Sequence, residues 1–411
     1  MKVLAYTSPA RGHLNPMMGP LLELRRRGAE VHVRTLAAGA EPVRAAGLAC
    51  EPIDPAIEAV AMDDHEAKSQ VAAGKRAFEV WAKRARLEVE DFAGALREVS
   101  PDLAIVDTTT FGAKAVAERE GLAWAESRPF LLEDMAPGLP PFGFGLRPKS
   151  GPLSRLRDAA LGLILARFDK DVRLPTANAG RLAAGLPPLQ GIEEARHRAP
   201  LTLYYTAQPF EYPRPLPEGV LMVGAGTWDP PAELPRPIPE DERPLALVAC
   251  SSEFQDDGEI AAAALEGMAE RWRLVVTTAG VNPASLPRSG DAVVERFLPH
   301  RPLLEQASVV VCHGGMGIAQ KALAHGVPVC IVPWARDQLD VAAHVEEAEA
   351  GVKLKRRRLS PARLASAAKA AEACAPGAAR VKAGYEATGG DPAAADALEA
   401  LCSPLIANRR K

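Results

Sequence analysis

Residues 309–340 read VVVCHGGMGIAQKALAHGVPVCIVPWARDQLD, and this stretch decides the fold. The run 309–312 is short, apolar and β-branched, as expected of a strand buried on both faces of a parallel sheet. It breaks at His313-Gly314-Gly315-Met316-Gly317, where three glycines in five residues allow a tight turn and keep side chains out of a ligand's way. The spacing predicts a helix over 318–325, closed by Gly326 as a left-handed cap, and a second buried strand over 327–332. Asp337 and Gln338 follow just beyond Pro333-Trp334.

A helix N-terminus reached through glycines presents unpaired N–H groups and a partial positive charge, which suits an anion. Open α/β sheets bind ligands outside the carboxyl ends of their strands, so the second strand brings Asp337 and Gln338 to the same edge. One end of the unit can hold a diphosphate and the other can read hydroxyls. A nucleotide sugar has both parts. A glycine turn between strand and helix is also common as plain structure, so the reading rests on His313, Asp337 and Gln338 accompanying it.

The segment HGGMG…ALAHGVPVCIVPWARDQ resembles the donor-binding signature of nucleotide-sugar glycosyltransferases. Those enzymes have the GT-B fold of family 1: two facing, doubly wound Rossmann-like α/β domains with a cleft between them. Bacterial antibiotic glycosyltransferases of the enediyne or aromatic-polyketide type are the nearest in character. The resemblance implies donor contacts from His313, Gly314, Gly315, Met316, Gly317, Ile318, Trp334, Asp337 and Gln338. It implies a nucleotide-sugar co-substrate, no other cofactor and no metal.

The chain has 411 residues, enough for about two or three domains. With 47% hydrophobic and 25% charged residues it has the composition of a globular protein. A net charge of −3 points to neither a nucleic-acid nor a membrane partner. Its abundant alanine, arginine and proline suggest a high-GC, actinobacterial source. The six cysteines form no CxxC pair, and no signal-type or membrane-spanning run is present, so a reducing cytoplasm is expected. Monomer and homodimer remain open.

The N-terminus opens with a strand over 2–6 and Gly12-His13-Leu14-Asn15-Pro16, where Asn15 and Pro16 read as the cap and first residue of a helix ending near Arg27. This places His13 in the loop beyond the first strand. In the resembled family the corresponding histidine is the base that deprotonates the acceptor. Residues 103–106 form another buried strand with Asp107 at its tip, matching by context the carboxylate that holds that histidine. A plain helix-capping aspartate is the alternative.

Residues 55–65 lack periodicity and suggest an acceptor loop, followed by a helix from about Glu66. The stretch 126–148, with Gly138-Leu139-Pro140-Pro141-Phe142-Gly143-Phe144-Gly145, cannot be a long helix. We expect it to line an apolar acceptor pocket, where Phe142 and Phe144 stack on a flat hydrophobic aglycone. Gly12, Phe78 and Phe130 are expected on the same side. Helices are expected over 153–173 and up to Gly185, and a last first-domain strand over 201–206.

The domains are read as 1–212 for the acceptor and 244–385 for the donor. A proline-rich linker spans 213–243, and a helix within 386–411 crosses back to the first domain. Ser251 and Ser252, after a strand over 245–250, match a segment whose hydroxyl meets the donor phosphate, although helix capping would explain them equally. Phe297 and Leu298 match a segment that reads the nucleobase.

Two positions depart from the family pattern. Ile318 stands where many members have Thr or Ser. Lys321 stands where UDP-specific members have a glutamate on the ribose hydroxyls, and a lysine cannot accept those bonds. A dTDP-linked, deoxygenated sugar is therefore the expected donor. The function expected is inverting, metal-independent sugar transfer. The alternatives are a nucleotide-sugar epimerase of the same fold and a non-catalytic auxiliary relative. A dinucleotide oxidoreductase fits less well, because the glycine spacing differs from that fingerprint.

Overall fold

The computed structural model describes residues 1–67, 69–232, 234, 238, 241–251 and 257–409. Two all-parallel sheets carry the chain. The first is built from β1 (Lys2–Tyr6), β2 (Glu30–Thr35), β3 (Ala49–Pro52), β4 (Leu103–Asp107), β5 (Ala123–Arg128), β6 (Leu201–Tyr204) and β7 (Val220–Met222). Its order is β3-β2-β1-β4-β5-β6-β7. The second is built from β8 (Leu245–Ala249), β9 (Arg273–Thr277), β10 (Val293–Glu295), β11 (Ala307–Cys312), β12 (Val329–Ile331) and β13 (Gly351–Lys353), in the order β10-β9-β8-β11-β12-β13.

Central strands such as β4 and β8 are buried along their whole length, so near-continuous apolar sequence is what they require. Each sheet has an apolar layer on both faces. The strand order reverses between β1 and β4 in the first sheet and between β8 and β11 in the second. A crevice opens at such a reversal, and ligands bind there in open α/β sheets.

Several elements differ from the sequence expectation. The first helix runs Arg11–Arg26, with Ala10 rather than Asn15 at its cap and with Pro16 and Pro20 inside it. The N–H groups of His13 and Leu14 both donate to the Ala10 carbonyl, closing a first turn ahead of the prolines. Each proline deletes one helical hydrogen bond, yet both are buried and the helix continues, because tertiary packing outweighs propensity. His13 consequently lies in a helical first turn, not in a loop.

The glycine-turn helix starts at Met316 and ends at Ala324. The segment after Pro55 is more ordered than expected. It holds a short helix, Pro55–Ala59, and a single turn, Asp64–Glu66, before the long helix Gln70–Val99. The helix expected over 153–173 is Pro152–Phe168, continued by a wider turn, Asp169–Arg173.

The proline-rich stretch does not behave wholly as a linker, since β7 within it pairs with β6 in parallel. Further along, a Cβ on Gly226 would fall 2.4 Å from the Pro16 Cα, so the returning chain is pressed onto the first helix. The terminal helix Gly390–Arg409 packs against the first helix, β5 and β6. Its Ala394, Ala395, Leu398 and Cys402 complete one apolar layer of the first domain. Fully burying a side chain such as Leu398 stabilises by about 1.5–3 kcal/mol. No described helix is long and apolar enough to cross a membrane.

Candidate active site

The residues that follow β1, β8 and β11 line one cleft of about 1510 Å³. From the first domain come Ser8, Gly12 and His13, and from the second come Ser251, His313, Gly315, Asp337 and Gln338. The imidazole near the N-terminus and the glycine turn three hundred residues later thus share one cavity.

His13 Nδ1 lies 2.7 Å from Asp107 Oδ2. The same oxygen accepts from the Ser8 N–H at 3.0 Å and the Ser8 hydroxyl at 2.7 Å. Oδ1 accepts from the Thr109 N–H at 2.9 Å. Burial alone would push this carboxyl up, but His13 and these donors hold it at about 2. An ionised carboxylate only accepts, so Nδ1 carries the proton and the neutral ring has its lone pair on Nε2. Phe130 meets the His13 ring edge to face, with centroids 4.8 Å apart. Beside Asp107, the buried Glu126 is held by Lys114, Arg128 and the Thr108 hydroxyl, which fixes the loop after β4.

On the opposite wall, Gly314 has φ +95°, and a Cβ there would lie 2.6 Å from Ile331 Cγ2. Only glycine fits this turn. A Cβ on Gly317 would meet nothing within 4 Å, so the first turn of helix Met316–Ala324 faces open space. Met316, Gly317 and Ile318 line the cleft, while Gly314 sits behind it against Ile331 and the Gln338 backbone.

His313 is almost fully buried, and burial lowers it to about 4 despite a hydrogen bond with the Ala249 backbone. It is therefore neutral at pH 7. Its Nδ1 lies 3.7 Å from Asp257 Oδ2, an oxygen that also accepts the Ser251 N–H at 2.7 Å. Ser252 lies outside the described residues.

Asp337 Oδ2 is buried without a hydrogen-bond partner. Burial, then the neighbouring Asp340, raises this carboxyl to about 6. The residue as a whole is partly exposed and lines the cleft. Gln338 Oε1 accepts from the N–H groups of Trp334 and Ala335, at 2.6 and 2.9 Å, and so shapes the loop. Trp334 itself does not line the cleft. Its ring packs beside the second core, under the Arg356 guanidinium 3.9 Å away. The donor contact expected from its side chain is not seen: the ring packs against the core away from the cleft lining, with Nε1 buried.

The first-domain wall of the cleft is aromatic. Phe78, Trp81, Phe130, Phe142, Phe144 and Phe168 all line the cavity. Phe78 meets Trp81 at 4.7 Å and Phe168 at 5.8 Å, both edge to face. The glycine–phenylalanine loop reaches the other domain, where the Gly143 and Gly145 N–H groups each donate to Asp340 Oδ1 at 3.1 Å. Phe297 and Leu298 line the opposite end, and Arg11 of the first domain lies over the Phe297 ring at 5.1 Å. Among the described residues, Asp134, Glu193 and His197 could share a metal ion, but none of them lines the cleft.

Residues 274–397 match the C-terminal domain family of erythromycin biosynthesis protein CIII-like proteins. The chain is 33% identical to 4'-demethylrebeccamycin synthase of Lentzea aerocolonigenes, over 87% of this chain and 89% of that protein. That extent of identity decides the family. The chain is a family 1 antibiotic glycosyltransferase.

This glycosyltransferase is also 24% identical to the vancomycin aglycone glucosyltransferase of Amycolatopsis orientalis, over 86% of this chain and 85% of that enzyme. Its fold is that of GT-B enzymes. It superposes on the calicheamicin glycosyltransferase CalG4 with a TM-score of 0.73, at 23% identity, covering 97% and 98% of the two chains. The glycosyltransferase VinC, solved in complex with dTDP, gives 0.70 at 20% identity, covering 98% and 100%.

The structure of this glycosyltransferase gives Lys321 and other site residues partners that sequence reasoning missed. Lys321 is buried and ion-paired with Asp229, which comes from the proline-rich stretch. The other Asp229 oxygen accepts the Arg301 N–H at 3.1 Å. Both partners line the cleft, beside His300 and Thr277. A carboxylate therefore does stand near position 321, but the ammonium and a backbone donor already engage it. Ser8 and Asp257 are polar supports for His13 and Ser251. No spacing rule links any of these residues, because each contact joins segments far apart in the chain.

Proposed function

We propose that this glycosyltransferase moves a deoxygenated sugar from a dTDP-linked donor to a flat, hydrophobic natural-product aglycone, with inversion and without a metal. His13 Nε2 takes the acceptor proton as the acceptor atom bonds to the anomeric carbon. The bond from that carbon to the diphosphate oxygen breaks on the opposite face, and the electron pair leaves with the diphosphate. Asp107 holds the ring through Nδ1 and stabilises the imidazolium that forms. The first turn of helix Met316–Ala324 meets the leaving group with N–H donors and its dipole. His313 is neutral, so it acts there by hydrogen bonding and not by charge. Asp337, with a buried oxygen lacking a partner, accepts from a sugar hydroxyl.

One observation carries this reading: the His13–Asp107 pair and the glycine turn open onto the same cleft from opposite domains. Three considerations support the finer choices. Thymidine diphosphate occupies several solved enzymes of this fold, including VinC and SsfS6. The Asp229 carboxylate at the expected pentose position is already engaged, which favours a pentose lacking the 2′-hydroxyl. The aromatic lining suits a planar acceptor.

The test incubates the protein with a dTDP-sugar and a panel of flat aglycones, following aglycone mass and free dTDP. Sugar-shifted aglycone, with dTDP released only when aglycone is present, is expected. Release of dTDP at the same rate without any aglycone would favour the epimerase-like reading instead.

A further inference from the structure

Residues 129–151 join β5 to helix Pro152–Phe168 with no helix or strand between them. A connection this long is uncommon in a compact domain unless it has a function, and it holds one shape only where something anchors it. Phe142, Gly143 and Phe144 of this loop line the cleft. Their anchor lies in the other domain, on helix Gln338–Glu347.

The N–H groups of Gly143 and Gly145 converge on Asp340 Oδ1, each at 3.1 Å. A carboxyl oxygen has two lone pairs, enough for both. Gly145 has φ +59°, and a Cβ there would lie 2.5 Å from Leu339 Cβ, so the loop can press this close to the helix only as glycine. Phe142 packs against the apolar layer that contains Met316 and Val341. Further along, the Tyr212 hydroxyl donates to the Leu146 carbonyl at 3.4 Å while its ring stacks on His344, with centroids 3.7 Å apart. Arg147 pairs with Glu347 at 2.7 Å, an exposed contact that adds little. Asp340 is buried and its Oδ2 has no hydrogen-bond partner, which costs stability. What its side chain does hold is the pair of loop N–H groups.

The same helical turn carries the donor side, because the N–H groups of Asp340 and Val341 both donate to the Asp337 carbonyl at 2.9 Å. We propose that Asp340 is a positioning residue for the acceptor: it seats loop 142–145 on the turn that carries Asp337. One element then sets the aromatic wall and the carboxylate proposed for the donor sugar in register with each other. An acceptor meets Phe142 and Phe144 already in place, and does not bear the entropy of ordering them. A loop released from Asp340 is seated only part of the time, and the apparent acceptor affinity falls by that fraction. This inference rests on the proposed function, since it takes the aromatic wall to receive the acceptor.

The test compares wild type, Asp340→Ala and Gly145→Ala. It follows amide hydrogen exchange over 142–147, the Kd for dTDP, and steady-state transfer from a dTDP-sugar to alizarin and quercetin, both flat and hydroxylated. In both variants exchange over 142–147 is expected to quicken and the acceptor KM to rise by about fivefold or more, with kcat and the dTDP Kd within about twofold of wild type. A strut that only joined the domains would weaken dTDP and acceptor alike. The proposal is overturned by unchanged exchange over 142–147 in Asp340→Ala, by an acceptor KM that rises less than about fivefold, or by a dTDP Kd that rises as much as that KM. If Asp340→Ala does not fold, Gly145→Ala is judged by the same criteria. Wild type that glycosylates neither probe would instead overturn the flat-acceptor reading, and this inference with it.

Discussion

His13 and Asp337 stand on opposite walls of one cleft, on different domains, yet near enough that a protonated His13 lowers the Asp337 carboxyl. The first is the proposed base, and the second carries one carboxylate oxygen, Oδ2, that is buried without a hydrogen-bond partner. Their proximity is what makes direct transfer between two substrates physically reasonable.

The Asp107 carboxylate sets the His13 tautomer, so Asp107→Asn should lower kcat. An amide can donate as well as accept, which releases the ring to adopt the other tautomer. The loss expected is ~10²–10⁴-fold, with the Kd for dTDP unchanged. Stability carries a second signature. The folded-state value is depressed from 3.8 to about 2, so its contribution is fully present above pH 4 and is lost as pH falls through 2. The shift is worth about 2 kcal/mol. Wild type and variant should therefore converge in unfolding free energy between pH 4 and pH 2.

Asp337 has the opposite sign. Its carboxyl is raised from 3.8 to about 6 by burial and by Asp340. Ionising it therefore destabilises the protein increasingly as pH rises from 4 to 6. Asp337→Asn should raise the melting temperature at pH 7, by about 1–3 kcal/mol of stability, while lowering kcat/KM for the donor sugar. Thermal melts at pH 4 and pH 7, beside donor kinetics, separate the two effects.

The Lys321–Asp229 pair should bear on the choice of nucleotide. Asp229→Ala would leave a buried ammonium unpaired and cost about 3–5 kcal/mol. Exchanging the two charges, Lys321→Glu with Asp229→Lys, keeps a pair and puts a carboxylate on the helix. Steady-state kinetics with dTDP- and UDP-linked forms of one sugar should then move toward UDP by about tenfold, or about 1.4 kcal/mol.

Gly314→Ala should distort the donor turn. A φ of +95° and a Cβ 2.6 Å from Ile331 Cγ2 both oppose a side chain there. Chemical denaturation is expected to show a loss of about 1–3 kcal/mol, together with weaker dTDP binding.

What the sequence made legible was local. The run before His313, the glycines after it and the stop at Gly326 each have one economical backbone reading, and the strand and helix appear accordingly. Asp107 was legible as a strand-tip carboxylate. The boundary of the first helix was not, because Pro16 and Pro20 argue locally for a later start while buried packing carries the helix past them. The Trp334 ring leaves the cleft lining in a loop where Gln338 Oε1 accepts two N–H groups, a contact that no spacing rule encodes. Asp64 with Arg336 and Asp229 with Lys321 pair across 272 and 92 residues, so composition and period say nothing of them. The proline-rich stretch looked like a spacer, yet it adds β7 to one sheet and a carboxylate to the cleft.

In the proposed reaction one cleft binds a nucleoside diphosphate on the second domain and deprotonates an acceptor from the first. The most direct measurement pairs calorimetric titration of dTDP with single-turnover sugar transfer, on wild type and His13→Ala. The account predicts equal dTDP affinity in both proteins and a loss of transfer of ~10²–10⁴-fold in the variant. Undiminished transfer by His13→Ala, or no dTDP binding by wild type, would contradict it.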